Sequence, residues 1–353
     1  MLLLSACQPD IPTMNAEETR RVADLTERMT TRCVGRYLID LPQPFTLNGL
    51  WTAEVEGVKI AVRPMDKAVF DGQMKAYKEQ LHATHLPLGK LPYLGFISET
   101  PQGVVINRVD SSASTTRAGR TLEGWRWDNG FQLKVSIDAV DGTFPELQSD
   151  SYWKERGSDV PTKLAQLLEI LSRLRGRSET EVPIEQGFCV PHGFIAGRPS
   201  ATEEAYVSYH LEGTPDVYFH VSANPEALKD EKSLLQRSAQ IEQEMQLSGT
   251  KTVRKGSAER NGIRFDEWLF KGRTPAGIAG TMFMLTGNES ARGLSNPFVA
   301  LDMLNGFRIP SPEKSLEEAA RQKSLERASL SEAEAIGLWD KVAPTLRLRP
   351  GAL

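Results

Sequence analysis

The stretch Cys33-Val34-Gly35-Arg36-Tyr37-Leu38-Ile39-Asp40-Leu41-Pro42 decides how the rest of the chain is read. Tyr37, Leu38, Ile39 and Leu41 make an apolar, β-prone strand over 36–41. Pro42 closes it, because proline lacks the N–H that a sheet ladder needs. A related stretch opens the second half: Cys189-Val190-Pro191-His192-Gly193-Phe194-Ile195, with Gly197-Arg198-Pro199 after it. Each half begins with a Cys-Val step into a strand, which predicts two related lobes tied to each other.

Working outward, the 353 residues leave room for two domains of ordinary size. A hydrophobic content of 40% against 25% charged residues is that of a chain with a proper core. The net charge is -4 with both signs interspersed, so neither a nucleic-acid-binding stripe nor a polybasic membrane patch stands out. No apolar run approaches the roughly 18 residues of a membrane-spanning helix.

Val22, Leu25 and Met29 fall at helical spacing and predict a helix over 16–32. Strands follow at 36–41, 50–55 and 58–62, the last two joined at Glu56-Gly57. A helix fits 67–83, strands fit 94–98 and 103–109, and the pair 121–127 and 131–138 flanks Asp128-Asn129-Gly130, the strongest hairpin signal in the chain. An amphipathic helix over 161–175 closes this half. The second half repeats the order: strands at 205–210 and 217–221, a long helix over 225–247, and strands at 252–256, 262–270, 277–285 and 298–304. A charged segment, 311–329, precedes a final helix that opens at Ser331 with Glu334 as its capping-box partner. The closing helices share a tail, Arg173-Leu174-Arg175 against Arg347-Leu348-Arg349.

The predicted fold class is therefore α+β, two related lobes that are each a mainly antiparallel sheet with packed helices, in the pattern of an internal duplication. The expected division is 1–15 as signal remnant and linker, 16–182 as N-terminal domain and 183–353 as C-terminal domain.

Catalytic motifs are mostly absent. The nearest approach to a Gly-x-Ser-x-Gly elbow, Gly293-Leu294-Ser295-Asn296-Pro297, lacks the last glycine. Phosphate-binding and dinucleotide glycine patterns are missing, as are Cys-x-x-Cys and His-Glu-x-x-His. His82 and His85 are the best pair for a metal, but no third ligand has an obvious position. Glu203-Glu204 and Glu317-Glu318 read as solvated charge, since acid/base work needs carboxyls facing each other across a cleft. Trp125 and Trp127 share one strand face and suit either core packing or recognition. The polar loop from Thr286 to Pro297 suits either binding or an idle connection. No catalytic, cofactor or metal residue is assigned.

Leu4-Ser5-Ala6-Cys7 resembles the lipobox of bacterial lipoproteins, although the segment before it lacks the basic start and full apolar length of a signal peptide. The resemblance implies lipidation at Cys7, with an unprocessed tail as the other reading. Gln8 after that cysteine implies the outer membrane. With Cys7 acylated, Cys33 and Cys189 remain as an even pair in an oxidising compartment. A disulfide between them is one reading and two separate buried thiols the other.

Taken together, Cys33 to Pro42, Gly187-Phe188-Cys189, Leu338-Trp339-Asp340 and Leu346-Arg347-Leu348-Arg349-Pro350-Gly351-Ala352 resemble the Tle cognate immunity family, over nearly the whole chain. The resemblance implies an immunity protein against a type VI secreted lipase or phospholipase effector. It would be a periplasmic protein without catalysis of its own that binds its cognate effector stoichiometrically and blocks substrate access. It would fold alone as a monomer, without cofactors or nucleic acid, and touch a membrane only through its lipid anchor. The residues by themselves also fit a periplasmic solute-binding or structural lipoprotein, or a lipoprotein hydrolase.

Overall fold

The computed structural model describes residues 11–87, 91–200, 202–223, 232–289, 293–308 and 325–353. The first half runs α1 (Ala16–Thr26), β1 (Met29–Val34), β2 (Tyr37–Pro42), β3 (Phe45–Val55), β4 (Val58–Pro64), α2 (Lys67–Ala83), β5 (Leu94–Thr100), β6 (Gly103–Val109), β7 (Gly119–Asp128) and β8 (Phe131–Val140). It closes with α3 (Ser151–Arg156), α4 (Val160–Arg173) and β9 (Leu174–Gly176). The second half runs β10 (Gly187–Val190), β11 (Gly193–Ala196), β12 (Glu203–Leu211), β13 (Val217–Ala223), α5 (Ser238–Ser248), β14 (Lys251–Arg260), β15 (Ile263–Arg273), β16 (Ala279–Gly287) and β17 (Val299–Asn305). It ends in α6 (Glu332–Val342) and β18 (Arg347–Leu348).

The turn signals act as expected. Asn129 and Gly130, at φ 47° and 90°, take the left-handed pair of values that a two-residue hairpin needs, and Glu56 and Gly57 do the same at 54° and 77°. The first helix is shorter than its periodicity suggests. It ends at Thr26, and Met29 to Val34 form a strand paired with β2, Cys33 opposite Leu38. The run Thr30, Thr31 and Val34 is β-branched, which disfavours helix and suits a pleated surface. The helix expected over 225–247 is, in its described part, only Ser238–Ser248, while 224–231 lie outside the described residues. Most of 311–329, with Glu317 and Glu318, also lies outside them.

The chain forms two compact units that interleave in sequence: Met1–Trp51 with Glu203–Leu353, and Thr52–Thr202. Their sheets share one topology. In unit 2 the order is β3-β4-β8-β7-β6-β5, and in unit 1 it is β12-β13-β17-β16-β15-β14. Each is a hairpin, a helix and four strands folded back antiparallel. Each unit also holds a three-stranded sheet built from a hairpin and the tail of its closing helix: β1-β2-β18 in unit 1 and β10-β11-β9 in unit 2. Both hairpins thus pack in the unit completed by the other half of the chain.

The register of these small sheets makes the repeat residue-specific. Cys33 faces Leu38 as Cys189 faces Phe194, and Arg347 pairs Leu38 as Arg175 pairs Phe194. The Arg349 N–H donates to the Arg36 carbonyl at 2.8 Å, and the Arg177 N–H donates to that of His192 at 2.9 Å. The equivalent tails are therefore Arg175-Gly176-Arg177 and Arg347-Leu348-Arg349, so the counterpart of Arg347 is Arg175 and not, as residue type suggests, Arg173. Cys33 and Cys189 occupy the same position in the two hairpins, are buried, and are both disulfide-bonded.

In unit 1, α6 lies on the inner sheet face. Trp339 is fully buried there against Phe219 and Phe283, with ring centroids 6.5 and 5.7 Å away, and its Nε1 donates to Glu267. Arg36 pins the hairpin. Its Nε and Nη2 donate to the two carboxylate oxygens of Glu203 at 2.7 and 2.6 Å, and its Nη1 donates to the Ala352 carbonyl. Glu203 is thus buried on β12 while Glu204 points to solvent, so only the second of the two carboxylates is the solvated charge expected from sequence. Replacing Glu203 with alanine leaves a buried guanidinium without this partner. Urea unfolding should show Glu203→Ala losing about 3–5 kcal/mol, and a loss within error of zero would contradict the pinning role.

Candidate docking cleft

The residues singled out in the sequence are largely structural in the fold. Trp125 and Trp127 pack beneath α2 with Phe70, Met74, Leu81 and Ile106. Trp125 Nε1 donates to Glu123 Oε2 at 3.0 Å, and Trp127 Nε1 donates to the Met65 carbonyl at 2.7 Å. Burial works against the charge of Glu123, but Lys134 and Arg108 hold its carboxyl below the usual carboxylate range. His82 is in the last turn of α2, whereas His85 lies beyond the helix end, its Nδ1 3.1 Å from the Ala83 carbonyl. No group of three metal-ligating side chains occurs among the described residues.

The loop that starts at Thr286 is also partly internal. Thr286 and Gly287 end β16, and buried Glu289 accepts from the Leu234 N–H at 2.7 Å and from Arg237 at 2.6 Å. Leu294 is half exposed in the tight turn Gly293–Asn296, while 290–292 and Cys7 lie outside the described residues.

Sequence reading missed a serine, histidine and aspartate in one row. On the second face of the unit 1 sheet, Ser208 of β12 stands opposite His220 of β13, which stands opposite Asp302 of β17. The geometry is not that of an activated nucleophile. Ser208 is fully buried and its Oγ accepts from Asn48 at 2.6 Å, while His220 Nδ1 and Asp302 Oδ1 are buried atoms without a hydrogen-bond partner among the described residues. His220 is held between the rings of Tyr206 and Tyr218, each 4.9 Å away. Burial neutralises both ionisable members, pushing the Asp302 carboxyl up to about 7 and the His220 imidazole down to about 4.

The two have opposite consequences for stability. Asp302 holds its proton more tightly when folded, so its cost is absent near the unfolded value of 3.8 and grows as pH rises to about 7. His220 gives up its proton on folding, so its cost appears as pH falls from 6.5 towards about 4. Urea unfolding near pH 8 should therefore find Asp302→Asn more stable than the parent by roughly 2–4 kcal/mol, with the gain gone by about pH 4. Equal effects at both pH values would contradict this origin.

A separate concavity of unit 1 lies elsewhere. It measures about 1070 Å³ and is walled by the start of α1, the beginning of β14, the β15–β16 turn and the segment leading into α6. Two helix N-termini meet at it, each closed by a capping box: Asn15 with Glu18, and Ser331 with Glu334. Gly280 shapes its wall, since a Cβ there would stand 2.4 Å from the Asn305 carbonyl oxygen. Most of its carboxylates are already engaged. Glu18 accepts from the Asn15 N–H at 2.9 Å, Glu334 accepts from the Ser331 N–H and pairs with Arg21, and Glu332 holds Lys271 at 2.8 Å. Lys251, Arg273 and Arg327 line the cleft without an ion pair among the described residues, against the single open carboxylate of Glu17. Only the Ser331–Glu334 box was legible in the sequence, because the cleft gathers residues from both ends of the chain.

Comparisons with known proteins bear on the whole chain. Two family models match in order, the Tle cognate immunity protein 4 N-terminal domain over residues 30–177 and its C-terminal domain over residues 181–351. Among solved structures, the chain is similar to the apo immunity protein TplEi of the type VI secretion system from Pseudomonas aeruginosa. The identity is 20% and the TM-score 0.67, covering 92% of this chain and 98% of that one. It is similar to a chain of the Tle4–Tli4 complex at 21% identity and TM-score 0.67, with the same coverage of 92% and 98%. A third likeness is to TplEi from Pseudomonas aeruginosa complexed with "L" peptide, at 21% identity, TM-score 0.61 and coverage of 91% and 98%. At such identities the likeness is one of fold. No curated protein matches the chain in sequence. With both domains matched in order along nearly its full length, the chain belongs to the Tle cognate immunity protein 4 family.

Proposed function

We propose that this protein binds a type VI secreted lipase or phospholipase effector in the periplasm and inhibits it stoichiometrically by blocking substrate access. The observation that carries the reading is the ordered match of both immunity domains along one chain. The relatives support a polypeptide partner, one of them being part of the Tle4–Tli4 complex and another complexed with a peptide. We read the protein as an inhibitor without catalysis of its own. Family membership supports this.

Three further parts belong to the proposal. Cys7 carries acyl chains that anchor the protein to the outer membrane, which keeps it beside the lipids the effector attacks. The protein is a monomer before it meets its partner. Cys33 and Cys189 pair with each other, as their equivalent positions in the two hairpins and the oxidising compartment suggest. Such a bridge contributes on the order of 5 kcal/mol in the chain-entropy model.

Co-purification with the lipase encoded beside this gene, followed by a lipase assay at rising molar ratio, tests the function. Activity should fall to background at about one molar equivalent if the dissociation constant is nanomolar or below. Full activity at large excess of a well-folded inhibitor would overturn the reading. Mass spectrometry of the unreduced, periplasmically expressed protein should yield a peptide linking Cys33 to Cys189, and two free thiols would end that pairing.

A further inference from the structure

The unit 1 cleft has a charge imbalance that its own chain does not use. Three of its four acidic groups are committed: Glu18 and Glu334 to their capping boxes, and Glu332 to Lys271. Of the basic groups, Arg21 and Lys271 are committed in return. Lys251, Arg273 and Arg327 remain exposed at the walls, and among the described residues only the Arg273 Nε donates, to the backbone carbonyl of Gly277. Against them stands Glu17. The space, about 1070 Å³, is at the upper end of small-molecule pockets, which run to about 1,000 Å³.

We propose that this cleft receives an extended acidic segment of the effector, whose Asp and Glu side chains pair with Lys251, Arg273 and Arg327. The proposal rests on the immunity reading above and specifies the chemistry of its contact. A single phosphate would need donors converging on one point. Here the three cations stand on separate elements: Lys251 at the start of β14, Arg273 at the end of β15, and Arg327 ahead of α6. Lys251 and Arg273 lie at the same end of paired strands and Arg327 on a different segment, an arrangement that suits several carboxylates carried along a backbone. Among the wall glycines, Gly277 has open space where a side chain would stand, which leaves room for that backbone to approach.

The test uses the full-length protein, the purified neighbouring lipase and a triple variant, Lys251→Glu, Arg273→Glu and Arg327→Glu. The three side chains are exposed, so the thermal unfolding midpoint should stay near that of the parent. Binding to the lipase should weaken about 30-fold or more, and the salt dependence of association should flatten, since these charges would steer the encounter. A matching alanine triple should lose less, and reversing acidic residues of the lipase to lysine should restore binding to the glutamate variant.

A triple variant that binds the lipase as tightly as the parent would overturn the proposal while leaving the immunity reading intact. A parent that binds no neighbouring lipase would overturn both. Vesicles containing phosphatidylglycerol supply the other source of anions. Binding of the parent to them that is lost in the variant, with lipase affinity unchanged, would assign the cations to a lipid surface and sink the acidic-segment assignment.

Discussion

The constraint on which the rest of the structure depends is the pairing of the short strands that follow the closing helices. A chain leaving α4 or α6 carries backbone N–H and C=O groups that need partners once buried. In both units those partners come from a hairpin that opens the opposite half of the sequence: β10-β11 takes β9, and β1-β2 takes β18. The exchange explains why compact packing cuts the chain at Trp51 and Glu203 and not at its midpoint. It also explains why arginines are buried here. Arg177 donates to the Gly193, Ser178, Glu181 and Val190 carbonyls within its own stretch of chain, whereas Arg36, held by Glu203, cross-links segments 167 residues apart. Removing one side of such a contact strands the other in a low-dielectric interior.

Local chemistry made most elements legible. Asn129-Gly130 and Glu56-Gly57 dictate hairpins because few residue types accept left-handed backbone, and Ser331 with Glu334 announces α6. The repeat was legible too, since hairpin, long helix, four strands and closing helix recur in one order. Its register was not. Arg173-Leu174-Arg175 is the closer match to Arg347-Leu348-Arg349 by residue type, yet backbone pairing to Leu38 and Phe194 sets the true alignment two residues later. Met29 misled for a similar reason, its helical spacing from Val22 being outweighed by strand pairing opposite Pro42.

The candidate site was far less legible. Its charges lie on α1, β14, β15 and the approach to α6, and which of them are spent within the chain depends on contacts such as Arg21 with Glu334. The same holds for the row of Ser208, His220 and Asp302, which strand register assembles, although His220 Nδ1 and Asp302 Oδ1 find no hydrogen-bond partner among the described residues. Sequence composition indicates that charges exist. Only the fold separates those that stabilise the unit from those left to meet a partner.

Amide hydrogen exchange of the full-length protein, alone and with its lipase partner, tests most directly whether binding is centred on this cleft. The account predicts slowed exchange in the β15–β16 turn around Thr274–Ala279 and in the 325–332 approach to α6, with the interior strands of unit 1 unchanged. Slowed exchange confined to unit 2, with these segments exchanging as in the free protein, would contradict it.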